Sequence, residues 1–204
     1  GAWLFHIPYT PERHPGALFY LLHLLLGKAA SLLPGDDLTA DIVAIYHLAR
    51  VVFGLGLLLT VYRFLAALTK SVRIRRLAWM MVALGGGLGW LLAALGQIRW
   101  LGDMALDLYF PEGFAFIALF GFPHVAAAQS LLLAGILCLL RAWDSGAADP
   151  RHSRVAGRPI THIASTPRRA AITWAALAGL AWLLMGLIVP FYVAVAWAVT
   201  SAAW

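Results

Sequence analysis

The sequence predicts an all-α fold, a polytopic transmembrane helical bundle of about four to six membrane-associated helices, and three observations carry that expectation. Of the 204 residues, 62% are apolar and 12% charged, with a mean hydropathy of +0.83. Several stretches of about 20 residues are nearly or wholly free of charge, the length needed to cross a hydrocarbon core of about 30 Å. The Lys and Arg residues gather in two of the connections between those stretches. A soluble domain of this length is excluded, because so few charged side chains cannot cover its surface. Disorder is excluded by the high hydropathy. The single cysteine, Cys138, excludes a disulfide framework and a multi-cysteine metal cluster. A net charge of +6 would suggest nucleic acid in a soluble protein. In a membrane protein it points to lipid headgroups, and no nucleic-acid partner is expected.

The elements follow in order. Residues 1–41 read as an extracytoplasmic or interfacial segment whose stretch 17–33, carrying His23 and Lys28, is an amphipathic or short membrane helix. Residues 42–204 read as the transmembrane region. Its first span, 42–62, is apolar apart from His47 and Arg50, and the second, 77–96, carries no charge. The long apolar run from 113 to 140 is divided by Pro123, so a span is expected over 123–140 with a short piece before it. A span over 170–189 ends at Pro190, and 191–204 is the start of a returning helix. Gly85-Gly86-Gly87-Leu88-Gly89 lacks the Lys-Ser/Thr of a phosphate loop, and inside a span its expected role is close helix packing. The chain begins without Met and ends inside an apolar run, which reads as an internal piece of a longer protein.

Charge orients the set. Arg63, Lys70, Arg73, Arg75 and Arg76 lie in one connection, and Arg141, Arg151, Arg154, Arg158, Arg168 and Arg169 in the linker 141–169. By the positive-inside rule both 63–76 and 141–169 are expected to be cytoplasmic. The opposite face receives Asp36, Asp37, Asp41, Asp103, Asp107 and Glu112.

That face carries the candidate chemistry. Asp103 and Asp107 share a face if their segment is helical, and Glu112 follows Pro111 at a turn. Carboxylates at a bilayer surface suit general-base work, which makes Glu112, Asp103 and Asp107 the catalytic candidates, and they also suit a divalent cation. No metal site is assigned, and no cofactor is named. His47 and Arg50 stand three apart on one helical face. An arginine inside an apolar span is costly, and its natural ligand near the headgroup level is a lipid phosphate, bound bidentately. His124 and Lys28 join Arg50 and His47 as candidates for binding that phosphate. The alternatives for Arg50 are a structural pair with a carboxylate such as Asp103 or Glu112, or snorkelling to the membrane surface. No serine- or zinc-hydrolase motif is present.

Tyr9-Thr10-Pro11-Glu12, Leu24-Leu25-Leu26-Gly27, Tyr46-His47-Leu48-Ala49-Arg50, Gly85 to Trp90, Pro111-Glu112 and Phe122-Pro123-His124 occur in that order. The chain thereby resembles a group of bacterial polytopic membrane proteins allied to the GT-C glycosyltransferases. The resemblance implies a multi-spanning enzyme that transfers a sugar from a polyprenyl-phosphate donor at the extracytoplasmic face of a bacterial cytoplasmic membrane, with an acidic catalytic residue on the first large outer loop, either in this sequence or before residue 1. Such relatives would carry His-Pro near the last helix, where this chain has Val189-Pro190. The alternative function is non-enzymatic, a transporter or a lipid-binding or structural subunit.

Overall fold

The computed structural model describes residues 3, 4, 6, 12–18, 20–85, 87, 89–97, 99, 100, 103, 104, 114–147 and 167–202. Helix α1 (Leu21–Ala30) is followed by α2 (Leu38–Leu68), α3 (Val72–Ala83) and the short α4 (Gly89–Ala94). A two-residue antiparallel ladder joins β1 (Arg99–Trp100) to β2 (Asp103–Met104), with Trp100 opposite Asp103. Helices α5 (Ala115–Gly121), α6 (Pro123–Ala147), α7 (Pro167–Ile188) and α8 (Tyr192–Ala202) complete the described chain. The architecture is all-helical apart from that ladder, and among the described residues α2, α6 and α7 are long and apolar enough to cross a membrane.

Helix α2 starts where Asp37 accepts hydrogen bonds from the backbone N–H of Thr39 (2.9 Å) and Ala40 (3.3 Å), an N-cap. Its 31 residues reach about 46 Å, more than a hydrocarbon core is thick, so its ends extend past the core or the helix tilts. Tyr46 donates to the carbonyl of Gly121 at 2.8 Å, and Leu57 and Val61 pack with Ala126, so α2 and α6 run side by side from a shared end. Helix α7 returns antiparallel along α6. Met185 and Val189 pack with Val125 and Ala128, Trp182 donates to the Leu132 carbonyl at 3.3 Å, and Arg141 lies over the Trp174 ring. At Gly135 a Cβ would collide with the Trp182 indole, so only glycine lets the two helices come this close.

Two sequence expectations change, for the stretches 77–96 and 63–76. The stretch 77–96 is not one helix: α3 ends at Ala83 and α4 begins at Gly89. The cause lies in the glycines. Each costs about 1 kcal/mol in a helix, and Gly87 adopts φ 71, a left-handed conformation. These glycines therefore break the helix where a packing role was expected, and the Gly85 carbonyl accepts from the Phe116 N–H at the start of α5 (3.5 Å). Helix α1, at 10 residues, is about 15 Å long and cannot span by itself. It packs against α2 and α7. The basic stretch 63–76 is mostly helix, with only residues 69–71 between α2 and α3.

The bundle thus has two unlike ends. The starts of α2 and α6 and the finish of α7 form one, with Asp36, Asp37 and Asp41. The junction of α2 with α3, the end of α6 and the start of α7 form the other, with most of the described arginines.

Candidate functional site

The candidate site forms at the end where α2 and α6 begin, around the turn from Gly121 to His124. Pro123 occupies the first position of α6, where its missing N–H costs nothing, and it forces a break after α5. Phe122, at φ −123 and ψ 83, closes α5 with its N–H on the Ala118 carbonyl. The freed carbonyl of Gly121 is taken by the Tyr46 hydroxyl, which ties α2 to this turn.

At about 3.6 residues per turn, Tyr46, Arg50, Phe53, Gly54, Leu57 and Val61 share one side of α2. Gly54, Leu57 and Val61 are buried there, and Leu119 of α5 lies against Gly54. Arg50 therefore leaves the helix on the face turned toward α5 and α6, one turn beyond Tyr46. Its Nη1 donates to His47 Nδ1 at 3.3 Å. Because arginine has no acceptor, His47 accepts at Nδ1 and carries its proton on Nε2. The two side chains carry guanidinium and imidazole N–H groups, all donors, the chemistry that phosphate oxygens accept.

On the other side of the turn, His124 packs against His23 of α1, with ring centroids 4.9 Å apart. Phe122 meets the His124 ring edge-on at 5.9 Å, and the His124 Nδ1 is buried. Tyr20 caps the start of α1 with φ 51, a left-handed conformation that is uncommon outside glycine, and its ring meets His23 edge-on at 6.0 Å. Partial burial of His23 lowers its pKa below the usual 6.5, since desolvation disfavors the imidazolium.

The structure places the sequence-predicted residues unevenly. It joins His47 to Arg50 by a hydrogen bond, and the Tyr46 bond to Gly121 puts that pair beside the turn that carries His124. Lys28 sits in the last turn of α1, where a cation suits the helix dipole, with its ammonium 5.1 Å from the Trp3 ring center. Asp107 and Glu112 lie outside the described residues, and Asp103 is described only through its backbone in β2. Among the described residues no group of three or more His, Cys, Asp or Glu side chains is placed to hold a metal ion.

Two contributors went unread in the sequence. Tyr46 adjoins His47, but nothing marks its bond to a carbonyl 75 residues away. His23 reads as the ordinary polar face of an interfacial helix, and its contact with His124 depends wholly on how α1 docks. No protein-family model, curated protein or solved structure matches the chain.

Proposed function

We propose that this membrane protein binds the phosphate of a membrane lipid at the end where α2 and α6 begin, and that the lipid is a polyprenyl-phosphate sugar donor whose sugar is transferred there. The observation that carries the reading is Arg50, a guanidinium within the apolar length of α2, on its packed face and hydrogen-bonded to His47 at 3.3 Å. A forked guanidinium with a neighboring imidazole N–H matches phosphate geometry, and an arginine within an apolar span marks a functional site. His124, across the turn, stands near enough to the same end to meet a headgroup.

In the transfer, Arg50 and His47 hold the phosphate as it leaves and stabilize its developing charge. A carboxylate among Asp103, Asp107 and Glu112 takes the proton of the acceptor hydroxyl. The support for this second half is the sequence resemblance together with the position of these residues in the connection between α4 and α5.

The test uses the full-length protein in detergent or nanodiscs. Polyprenyl phosphate should bind, and uncharged polyprenol should bind at least about tenfold more weakly, the loss expected for charge-assisted hydrogen bonds. Arg50→Gln should remove that difference, and equal affinity of the wild-type protein for both lipids defeats the reading. Sugar transfer from the lipid donor, abolished in Glu112→Gln at unchanged expression, separates an enzyme from a protein that only binds the lipid.

A further inference from the structure

The opposite end of the bundle carries a second feature that the proposed site does not use. An apolar groove of about 490 Å³ runs between α2 and α3, lined by Leu55, Leu58, Leu59, Tyr62, Trp79 and Met80, with one cation, Arg76. Trp79 fixes its floor, since the indole Nε1 donates to the Leu58 carbonyl at 2.8 Å and thereby ties α3 to α2. Leu55, Leu59 and Met80 are more than half exposed, so the groove opens outward along the side of the bundle.

Charge is distributed along this groove in one direction only. Arg73, Arg76 and Met80 follow one another at helical spacing on α3, so the stripe passes from cationic at the α2–α3 junction to apolar farther along. Arg63, Lys70, Arg73 and Arg76 are all exposed and form no salt bridge among the described residues. Arg75 is held differently. Its guanidinium lies 5.4 Å from the Tyr62 ring center, Nη2 donates to the Thr69 carbonyl at 3.0 Å, and its buried Nε has no partner among the described residues. The junction therefore has five cations within 14 residues and no described carboxylate bound to any of them.

We infer that this groove is a site for an anionic phospholipid, with one acyl chain along Leu55, Leu58, Leu59 and Met80 and the phosphate at Arg76 beside Arg73. The occupant follows from the two halves taken together. A soluble anion would use the arginines and leave the apolar groove open, whereas a zwitterionic lipid would fill the groove without neutralizing the cations. A generic excess of positive charge at one membrane face accounts for the arginines but needs no groove ending at one of them. The site lies at the other end from Arg50 and does not depend on the reading proposed there.

The test places the purified protein in phosphatidylcholine nanodiscs containing a small fraction of phosphatidylglycerol with a photoreactive diazirine in its acyl chain. After illumination, the adducts are mapped by mass spectrometry. Labeling should fall on the groove segments of α2 and α3, saturate, and be displaced by unlabeled phosphatidylglycerol but not by added phosphatidylcholine. Arg76→Gln should reduce it about fivefold, the effect of one interfacial cation. Arg141→Gln, at the same end but on α6, should leave it unchanged. Equal labeling by a diazirine phosphatidylcholine, or an equal loss in both variants, overturns the inference. The competition in wild-type protein decides the matter by itself if Arg76→Gln does not fold.

Discussion

The two ends of the bundle hold their polar groups by different means. Where α2 and α6 begin, polar side chains are fixed by one another and by the backbone: Tyr46 on the Gly121 carbonyl, Arg50 on His47, His23 against His124. Where α2 passes to α3 and α6 approaches α7, the fixed cations rest on aromatic faces, Arg75 over Tyr62 and Arg141 over Trp174. The first arrangement sets donor directions and so selects a ligand by geometry. The second holds each guanidinium against a ring face, which fixes its position but sets no donor directions toward a single shaped ligand.

Both ends depend on the packing of α6 against α7, so the largest effect is expected from disturbing it. Gly135→Val places side-chain carbon where the Trp182 indole already lies, and the loss should be about 1–3 kcal/mol, the usual cost of overpacking. Thermal unfolding of the purified protein in detergent measures it. Gly179→Val on α7, where an added Cβ meets nothing, is the matched control and should change little.

Next in size is Tyr46→Phe, which removes the hydrogen bond from α2 to the Gly121 carbonyl at the α5–α6 turn. Stability should fall by about 1 kcal/mol. The comparison of ends gives this variant a further use: lipid-phosphate binding near Arg50 should weaken, while photolabeling of the α2–α3 groove should not. Loss at both ends together would show that the two are not independent.

Much of this layout is written in uninterrupted apolar runs and prolines. The runs over 42–62 and 123–140 fall within α2 and α6, the run over 170–189 passes the end of α7 by one residue, and Pro123 and Pro190 fall at the breaks between helices, because proline acts locally. The spacing of His47 and Arg50 likewise translates directly into a contact. The stretch 77–96 misleads because apolarity reports preference for the membrane and not helix continuity, which Gly85 and Gly87 remove without adding polarity. His23 and His124 are far apart in the chain, and no local pattern encodes which helix α1 docks against. The residues on which a transfer reaction would turn, Asp107 and Glu112, have only their sequence reading, since they fall outside the described residues.

A smaller effect is expected at the basic end. Arg75→Met keeps the apolar stem over Tyr62 but removes the cation–π contact and the bond to Thr69, and should cost about 0.5–1 kcal/mol. Arg141→Met should cost about as little, through Trp174. A loss well beyond this for either would mean that these arginines are fixed as tightly as the groups at the other end, and the contrast between the ends would fail.

The most local effect concerns α1, and its sign follows from His23. Burial lowers the pKa of the docked side chain below 6.5, so once α1 separates from the bundle the imidazole binds protons more readily. Docking is then fully favorable above about 6.5, weakens as the pH falls below that value, and has lost this contribution once the pH is below the docked pKa. Among the described residues the rings facing His23 are those of His124 and Tyr20. Amide hydrogen exchange of α1, corrected for intrinsic rates, should therefore quicken between pH 7.5 and pH 5, with the α6–α7 pair unaffected. His23→Leu should keep α1 protected and flatten the pH dependence. If the helix exchanges alike at both pH values in the wild-type protein, the His23–His124 contact does not hold α1 in place, and α1 is kept there by Leu22 and Leu24, which are buried regardless of pH.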